Sequence, residues 1–166
     1  MLAVDLMQMH AEAPKPRLAF WTSTRIEPDV SPWLSWPEAQ LRGPLHVYQL
    51  TVAPRARIAE IHSPQDWSLL CREYPGTVPG YVFTTDARHR RAEDSRLDPE
   101  WSSVAREFDG VHVSIGGLVT AEDVPYTEGG VTTELRGWNM ESTCWLRWSF
   151  TSANPLSAVR GEGRQA

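Results

Sequence analysis

Residues Trp138 to Phe150 read Trp-Asn-Met-Glu-Ser-Thr-Cys-Trp-Leu-Arg-Trp-Ser-Phe and hold three of the chain's eight tryptophans. From Ser142 onward the side chains alternate, with one face formed by Cys144, Leu146, Trp148 and Phe150 and the other by Thr143, Trp145, Arg147 and Ser149. This period of two predicts one β-strand with a buried face. Glu141 enters the strand in register with the second face. It is either a catalytic or ligand-binding carboxylate, or it pairs with a surface arginine.

Size and charge limit the classes of protein that this chain can belong to. Its 166 residues suggest a single domain, and 41% apolar with 22% charged residues is ordinary for a globular protein. The net charge of −5 argues against nucleic-acid binding by charge alone. The local basic run from Arg88 to Arg91 is followed at once by Glu93 and Asp94, which is typical of a solvated loop.

Several kinds of chemistry are disfavoured by what the sequence lacks. Cys71 and Cys144 lie in no Cys-x-x-Cys motif, so we expect no zinc site. Lys15 is the only lysine, and the chain contains no Gly-x-Gly-x-x-Gly, phosphate-loop or Gly-x-Ser-x-Gly motif. The N-terminus lacks the pattern of a signal peptide and no apolar run approaches ~20 residues, so we expect a cytoplasmic protein without a membrane span.

The order of the predicted elements indicates an α+β domain. We expect an N-terminal arm at 1–16, a compact domain at 17–150 and a flexible tail at 151–166. A capped helix is predicted from Ser63 to Tyr74, and a second from Pro99 to Phe108. Strands are predicted at 17–25, 45–53, 56–61, 81–85, 111–115, 131–136 and in the closing segment. Because strands and helices do not alternate, we expect two packed mixed or antiparallel sheets with two or three helices.

Candidate site residues lie in four segments. Thr22, Ser23 and Thr24 end the first predicted strand and either line a ligand site or bond to their own backbone. The proline-bounded loop 31–37 carries two tryptophans, which either clamp a planar ligand or cover the core. His112 shares a strand face with Ser114, while Gly116 and Gly117 permit a bulge or sharp bend. The long loop 75–97 is unusual unless it is functional or mobile.

These polar residues resemble those of the ADP-ribosyltransferase superfamily, over about 130 residues in outline. Trp21-Thr22-Ser23-Thr24 is similar to its Ser-Thr-Ser element, with Thr in the first position, and Glu141 is similar to its late glutamate. Asn139 stands where the family has Glu or Gln, two residues before the catalytic position. No clear counterpart of the family's early NAD-binding Arg or His is found; the candidates are His10 and Arg17.

The resemblance implies an enzyme that uses NAD as substrate and transfers ADP-ribose to a protein or nucleic-acid acceptor, without a metal. In that reading, Glu141 stabilises the ribosyl cation while Ser23 and Thr24, with Thr22, position ribose and nicotinamide. Trp21 or Trp145 stacks on the ring, Asn139 shares the face of Glu141, and Arg147 or Arg17 meets the pyrophosphate. Loop 75–97 would select the acceptor, and the biological role would be that of an intracellular modifying toxin or effector.

Two other functions remain open. In the first, the tryptophans of loop 31–37 and Trp138 form a partner-binding or carbohydrate-binding surface, and Glu141 makes only a salt bridge. In the second, paired carboxylates among Asp109, Glu122, Asp123 and Glu128 serve a glycosidase or nuclease. The enzyme hypothesis requires Glu141 and Ser23 to lie within one cleft width of each other.

Overall fold

The computed structural model describes residues 2–3, 19–26, 31–33, 46–77 and 96–156. Within these ranges the chain forms three helices: α1 (Pro64–Glu73), α2 (Trp101–Glu107) and α3 (Ile115–Ala121). The strands are β1 (Leu2–Ala3), β2 (Phe20–Ser23), β3 (Tyr48–Val52), β4 (Ile58–Ile61), β5 (Pro75–Thr77), β6 (Leu97–Pro99), β7 (Gly110–Val113), β8 (Tyr126–Glu128), β9 (Val131–Thr133), β10 (Ser142–Trp145) and β11 (Phe150–Pro155). The predicted α+β class is confirmed.

Seven of these strands form one sheet, in the order β11-β3-β1-β2-β10-β7-β4. Neighbouring strands are antiparallel except β7 and β4, which run parallel. Two small antiparallel ribbons, β5–β6 and β8–β9, complete the strands. The described part of the chain therefore has one large mixed sheet and two ribbons, and the expectation of two packed sheets is wrong there.

One face of the large sheet carries the main hydrophobic core. The predicted first helix is confirmed as α1, in which the Ser63 side chain accepts a hydrogen bond from the Asp66 N–H and Pro64 takes the first turn. Its buried apolar side chains belong to one cluster with side chains of β4, β7 and β10. The core contains Ala59, Ile61, Trp67, Leu70, Cys71, Tyr74, Val104, Val111, Val113, Ala121, Leu135, Trp138 and Cys144.

The other face of the sheet carries a smaller apolar cluster at one end. Leu50, Trp145 and Phe150 form it, with Phe20, Val52, Ala56 and Ile58 packed alongside. Because side chains of successive strand residues point to opposite faces, Trp145 lies on this face and Cys144 lies in the main core. Strand β10 is consequently buried at all four positions, although its sequence suggested a strand with one exposed face.

The closing segment is not the single strand that its alternation predicts. Strand β10 ends at Trp145, since the backbone N–H groups of Leu146 and Arg147 both turn toward the Asp109 carbonyl oxygen, at 2.9 and 3.4 Å. The chain then bends, and β11 begins at Phe150 on the far edge of the sheet, where it pairs with β3. The predicted flexible tail is therefore wrong for residues 151–155, which are strand.

Three further boundaries differ from the predicted ones. Leu2 and Ala3, predicted within an arm, form a strand between β2 and β3. Helix α2 is capped by Glu100, whose carboxylate accepts the Ser102 and Ser103 N–H groups, because Asp98 and Pro99 belong to β6. Gly116 and Gly117 open helix α3 instead of a bulge. A Cβ on Gly117 would lie 2.3 Å from the Ile61 carbonyl oxygen, so glycine permits α3 to approach β4 closely.

Residues 78–95, which include the predicted strand at 81–85, and most of loop 31–37 lie outside the described residues. No described helix has the length and apolar character needed to cross a membrane.

Candidate functional site

The carboxylate of Glu141 lies where the ends of two strands meet, and it is only 5% exposed. Its Oε2 accepts hydrogen bonds from Ser23 Oγ at 3.0 Å and from the Thr24 N–H at 3.1 Å. Its Oε1 accepts from Thr24 Oγ1 at 2.6 Å and from His112 Nε2 at 2.8 Å. The predicted proximity of Glu141 and Ser23, 118 residues apart, is thus confirmed.

Strand register explains why these side chains converge. Thr143 on β10 lies opposite Thr22 on one neighbour, β2, and opposite His112 on the other, β7. Residues two apart on a strand share a face, so Glu141 and Thr24 continue this row just beyond the ends of β10 and β2. The face that holds Trp145 at one end of the sheet therefore carries the hydroxyl, imidazole and carboxylate groups at the other end.

His112 connects Glu141 to a second carboxylate. Its Nδ1 lies 2.5 Å from Oε2 of Glu60, which stands directly across the parallel pair β4–β7. The side chains of His112 and Glu60 are 19% and 46% exposed, whereas that of Glu141 is 6% exposed. A neutral imidazole carries only one N–H group, so two carboxylate partners require either the imidazolium or a protonated glutamate.

The electrostatics favour the imidazolium. Burial lowers the pKa of His112, but the hydrogen bonds and charges of Glu141 and Glu60 outweigh it, and the pKa of His112 is raised above 6.5. Burial raises the pKa of Glu141, but the hydrogen bonds from His112, Thr24 and Ser23 outweigh it, and the net pKa is below 4.5. Both shifts favour the ion pair, with an anionic Glu141 beside a cationic His112.

The backbone turn before Glu141 is fixed by a half-buried carboxylate, that of Glu122. Glu122 Oε1 accepts the Trp138 N–H at 3.1 Å and the Asn139 N–H at 3.4 Å. Gly137 and Asn139 adopt positive φ angles of 72° and 49°, and the Met140 N–H donates to the Trp138 carbonyl. Burial is the largest influence on Glu122 and raises its pKa, despite these N–H donors.

A pocket of about 330 Å³ opens beside the Glu141 carboxylate. Its lining combines the polar groups of the site with apolar side chains: Thr24, Ile26, Pro32, His112, Ser114, Ile115, Gly116 and Glu141. Ile26 and Ile115 are 58% and 57% exposed. The volume lies at the lower end of the range of small-molecule sites, and an apolar wall with a few convergent polar groups is typical of them.

Three residues with predicted cofactor contacts have structural roles instead. Trp145 is 1% exposed and donates its indole N–H to Thr22 Oγ1 at 2.8 Å, so neither side chain can contact a ligand in the pocket. Trp21 lies on the opposite face of the sheet, where its ring packs edge-on against Trp138 with the centroids 4.8 Å apart. The predicted ring stacking by Trp21 or Trp145 is therefore wrong in this structure, as is a ligand contact by Thr22.

Two other predicted contacts lie away from the pocket. Arg147 follows the far end of β10, where its Nε donates to Asp109 Oδ1 at 3.1 Å beside a separate cavity of about 340 Å³. Asn139 does not share a strand face with Glu141, since it is an exposed residue of the preceding turn. Arg17 lies outside the described residues.

Glu60 is the member of this cluster that the sequence did not single out. A carboxylate within the otherwise apolar segment Ile58–Ile61 was the available signal. Its partner His112 stood out in the sequence only for its place on a strand. Their contact depends on a parallel pairing between residues 52 apart, which local patterns do not specify.

Comparisons of this chain with family models, with curated proteins and with solved structures find no match. Among the described residues, no group of three or more His, Cys, Asp or Glu side chains has an arrangement that could hold a metal ion.

Proposed function

We propose that this protein cleaves the nicotinamide–ribose bond of NAD and transfers ADP-ribose to a macromolecular acceptor, with Glu141 as the catalytic carboxylate. The observation that carries the proposal is the four-donor environment of Glu141, contributed by Ser23, Thr24 and His112, at the edge of a pocket. An anionic group held in one orientation suits a reaction that develops positive charge.

The chemistry of the bond matches this arrangement. When the bond between nicotinamide and the ribose C1′ breaks, its electron pair stays with the ring nitrogen, and nicotinamide leaves as a neutral molecule. Positive charge then builds on the ribose. A carboxylate that is already oriented stabilises this charge without reorganising, so it lowers the energy of the transition state more than that of the ground state. The acceptor nucleophile, or water, then attacks C1′.

The pocket supplies the second part of the argument. Ile26, Pro32 and Ile115 form apolar walls near the carboxylate, which suits a planar heteroaromatic ring next to a sugar. These residues replace Trp21 and Trp145 as the candidates for packing on the nicotinamide. Because Arg147 lies away from the pocket, Arg17 is the candidate for binding the pyrophosphate. The proposed biological role is that of a modifying toxin or effector.

Nothing in the described residues favours the alternative of a tryptophan-rich binding surface that includes Trp138. This side chain is 4% exposed and packs on Trp21 within the main core. Trp33, from the proline-bounded loop, is 5% exposed.

The test is the rate of nicotinamide release from NAD by the wild-type protein and by Glu141→Gln, with water and with protein and nucleic-acid acceptors. We expect the substitution to lower the rate by roughly 10²–10⁴-fold, the range for loss of a group that stabilises transition-state charge. Glu134→Gln is the matched control, because Glu134 is also a buried carboxylate, at 7% exposure, but pairs with Arg96 and Arg136 away from the pocket.

The Glu134→Gln control should keep the wild-type rate. Thermal unfolding of both variants checks that each is folded under the assay conditions. A wild-type protein that releases no nicotinamide with any of these acceptors would contradict the proposal. So would a Glu141→Gln variant that works at the wild-type rate.

A further inference from the structure

Glu60 lies outside the pocket but is linked to the catalytic carboxylate through a single side chain. It stands opposite His112 across β4 and β7, and its Oε2 lies 2.5 Å from His112 Nδ1. The other ring nitrogen, Nε2, lies 2.8 Å from Glu141 Oε1. The imidazole is therefore held at both ends, and rotation of the ring would break both contacts.

The charges along this row explain why a second carboxylate is useful. An imidazolium next to Glu141 orients the carboxylate, but it also cancels most of its negative field, because the pair is neutral overall. Adding the charge of Glu60 gives the row Glu60, His112 and Glu141 a net charge of −1. The pocket then keeps the negative potential that a developing cation requires, while His112 still fixes the position of Glu141.

We propose that Glu60 is a positioning residue of the site: it holds His112 through Nδ1, directs Nε2–H to Glu141, and restores the negative charge that His112 would otherwise cancel. This inference rests on the proposed function for its effect on catalysis, but the hydrogen-bonded row itself can be tested without any substrate.

The groups that face the imidazole come from the two strands that flank β7, namely β4 and β10. The charged ones are Glu60 on β4 and Glu141 at the entry of β10. Thr143 on β10 lies opposite His112 in the strand register and carries no charge. If the charge of Glu60 is removed, Glu141 is the remaining charged group among these that stabilises the imidazolium. His112 should then lose its proton at a lower pH.

The first measurement is the titration of the His112 ring by long-range ¹H–¹⁵N NMR, in the wild-type protein, Glu60→Gln and Glu60→Asp. The His112→Gln variant identifies the His112 signal among the chain's five histidines. Glutamine at position 60 keeps an oxygen that can accept from Nδ1–H, so this variant removes the charge while preserving the shape. We expect the His112 titration to move to lower pH in Glu60→Gln and to return toward the wild-type curve in Glu60→Asp.

The second measurement is the pH profile of nicotinamide release. For Glu60→Gln we expect kcat to fall by about tenfold, the order for removing one charge a few ångströms from the reacting carbon in a partly exposed site. KM should change little, and the pH at which the rate responds to the titration of His112 should move lower together with the NMR titration. Glu107→Gln is the control, because Glu107 is a half-exposed carboxylate that pairs with Arg57 at 3.7 Å outside the pocket.

The two proposals fail in different ways. A His112 titration that Glu60→Gln leaves unchanged overturns the positioning role of Glu60, whether or not the protein cleaves NAD. A shifted titration in a protein that releases no nicotinamide supports the row and contradicts the proposed function. A shifted titration with an unchanged pH profile and kcat overturns the catalytic part of this inference.

Discussion

Replacing Glu141 by glutamine should destabilise the protein by an amount that depends strongly on pH. Glutamine has the shape of glutamate, and its carbonyl oxygen can accept from Ser23 Oγ and the Thr24 N–H. Its amide NH₂ then faces His112 Nε2, where an imidazolium presents another donor. The conflict disappears if His112 becomes neutral, with its proton on Nδ1 toward Glu60, because Nε2 then accepts from the amide.

The magnitude follows from the cost of removing that proton. The ordinary pKa of an imidazole, 6.5, is 1.5 units above pH 5. Removing the proton at pH 5 therefore costs about 2 kcal/mol, at about 1.4 kcal/mol per pKa unit. At pH 8 the proton is already lost at no cost. Breaking a buried charge pair typically costs about 3–5 kcal/mol. We therefore expect the loss in free energy of unfolding to be about 3–5 kcal/mol at pH 5 and about 1–3 kcal/mol at pH 8.

The wild-type protein contributes to the same trend. The lowered pKa of Glu141 gives stability that is present above pH 4.5 and is lost as the pH falls through the folded-state pKa. The raised pKa of His112 gives stability that is fully present below pH 6.5 and is lost as the pH rises through its folded-state value. The pair therefore stabilises the fold most between about pH 4.5 and 6.5, and this advantage declines toward pH 8.

The assay is urea denaturation of both proteins at pH 5, 6, 7 and 8, followed by tryptophan fluorescence. Glu107→Gln serves as the control for an exposed ion pair and should change stability by about 0–1 kcal/mol at each pH. A difference between wild type and Glu141→Gln that stays constant from pH 5 to pH 8 would refute the assignment of an imidazolium to His112.

Two further predictions concern the core. Trp145→Phe should lower the free energy of unfolding by about 2–3 kcal/mol in urea denaturation, because it removes buried volume and leaves the Thr22 hydroxyl without its indole partner. The control is Trp148→Phe, at a position 65% exposed, which should change the free energy of unfolding by at most about 0.5 kcal/mol. Equal losses in the two variants would contradict the burial of Trp145. Burial, partly opposed by Arg96, raises the pKa of Asp98 from 3.8 to about 6. The stability of the wild-type protein therefore falls as the pH rises between these two values. Asp98→Asn should stabilise the protein by about 2–3 kcal/mol at pH 8 but not at pH 4. A gain that is the same at both pH values would show that Asp98 is not the titrating group.

The sequence by itself determined those features that depend on neighbouring residues. Helix α1 was predictable because Ser63, Pro64 and Asp66 form its N-terminus within four residues. The α+β class followed from the order of the elements. The family resemblance predicted that the hydroxyls near Ser23 and the carboxylate of Glu141 lie close together, and the structure places them within hydrogen-bonding distance.

Only the tertiary structure decided which polar residues share a site. The alternation predicted a strand, and residues Ser142–Trp145 form one, but the sequence does not show that both faces of β10 are buried or that the chain turns after Trp145. Trp145 is buried because both faces of β10 are covered, and Arg147 lies at the far end of the sheet because it follows the last residue of β10. Glu60 meets His112 only because β4 pairs in parallel with β7, and strand register is fixed by packing between distant segments, which no local pattern encodes.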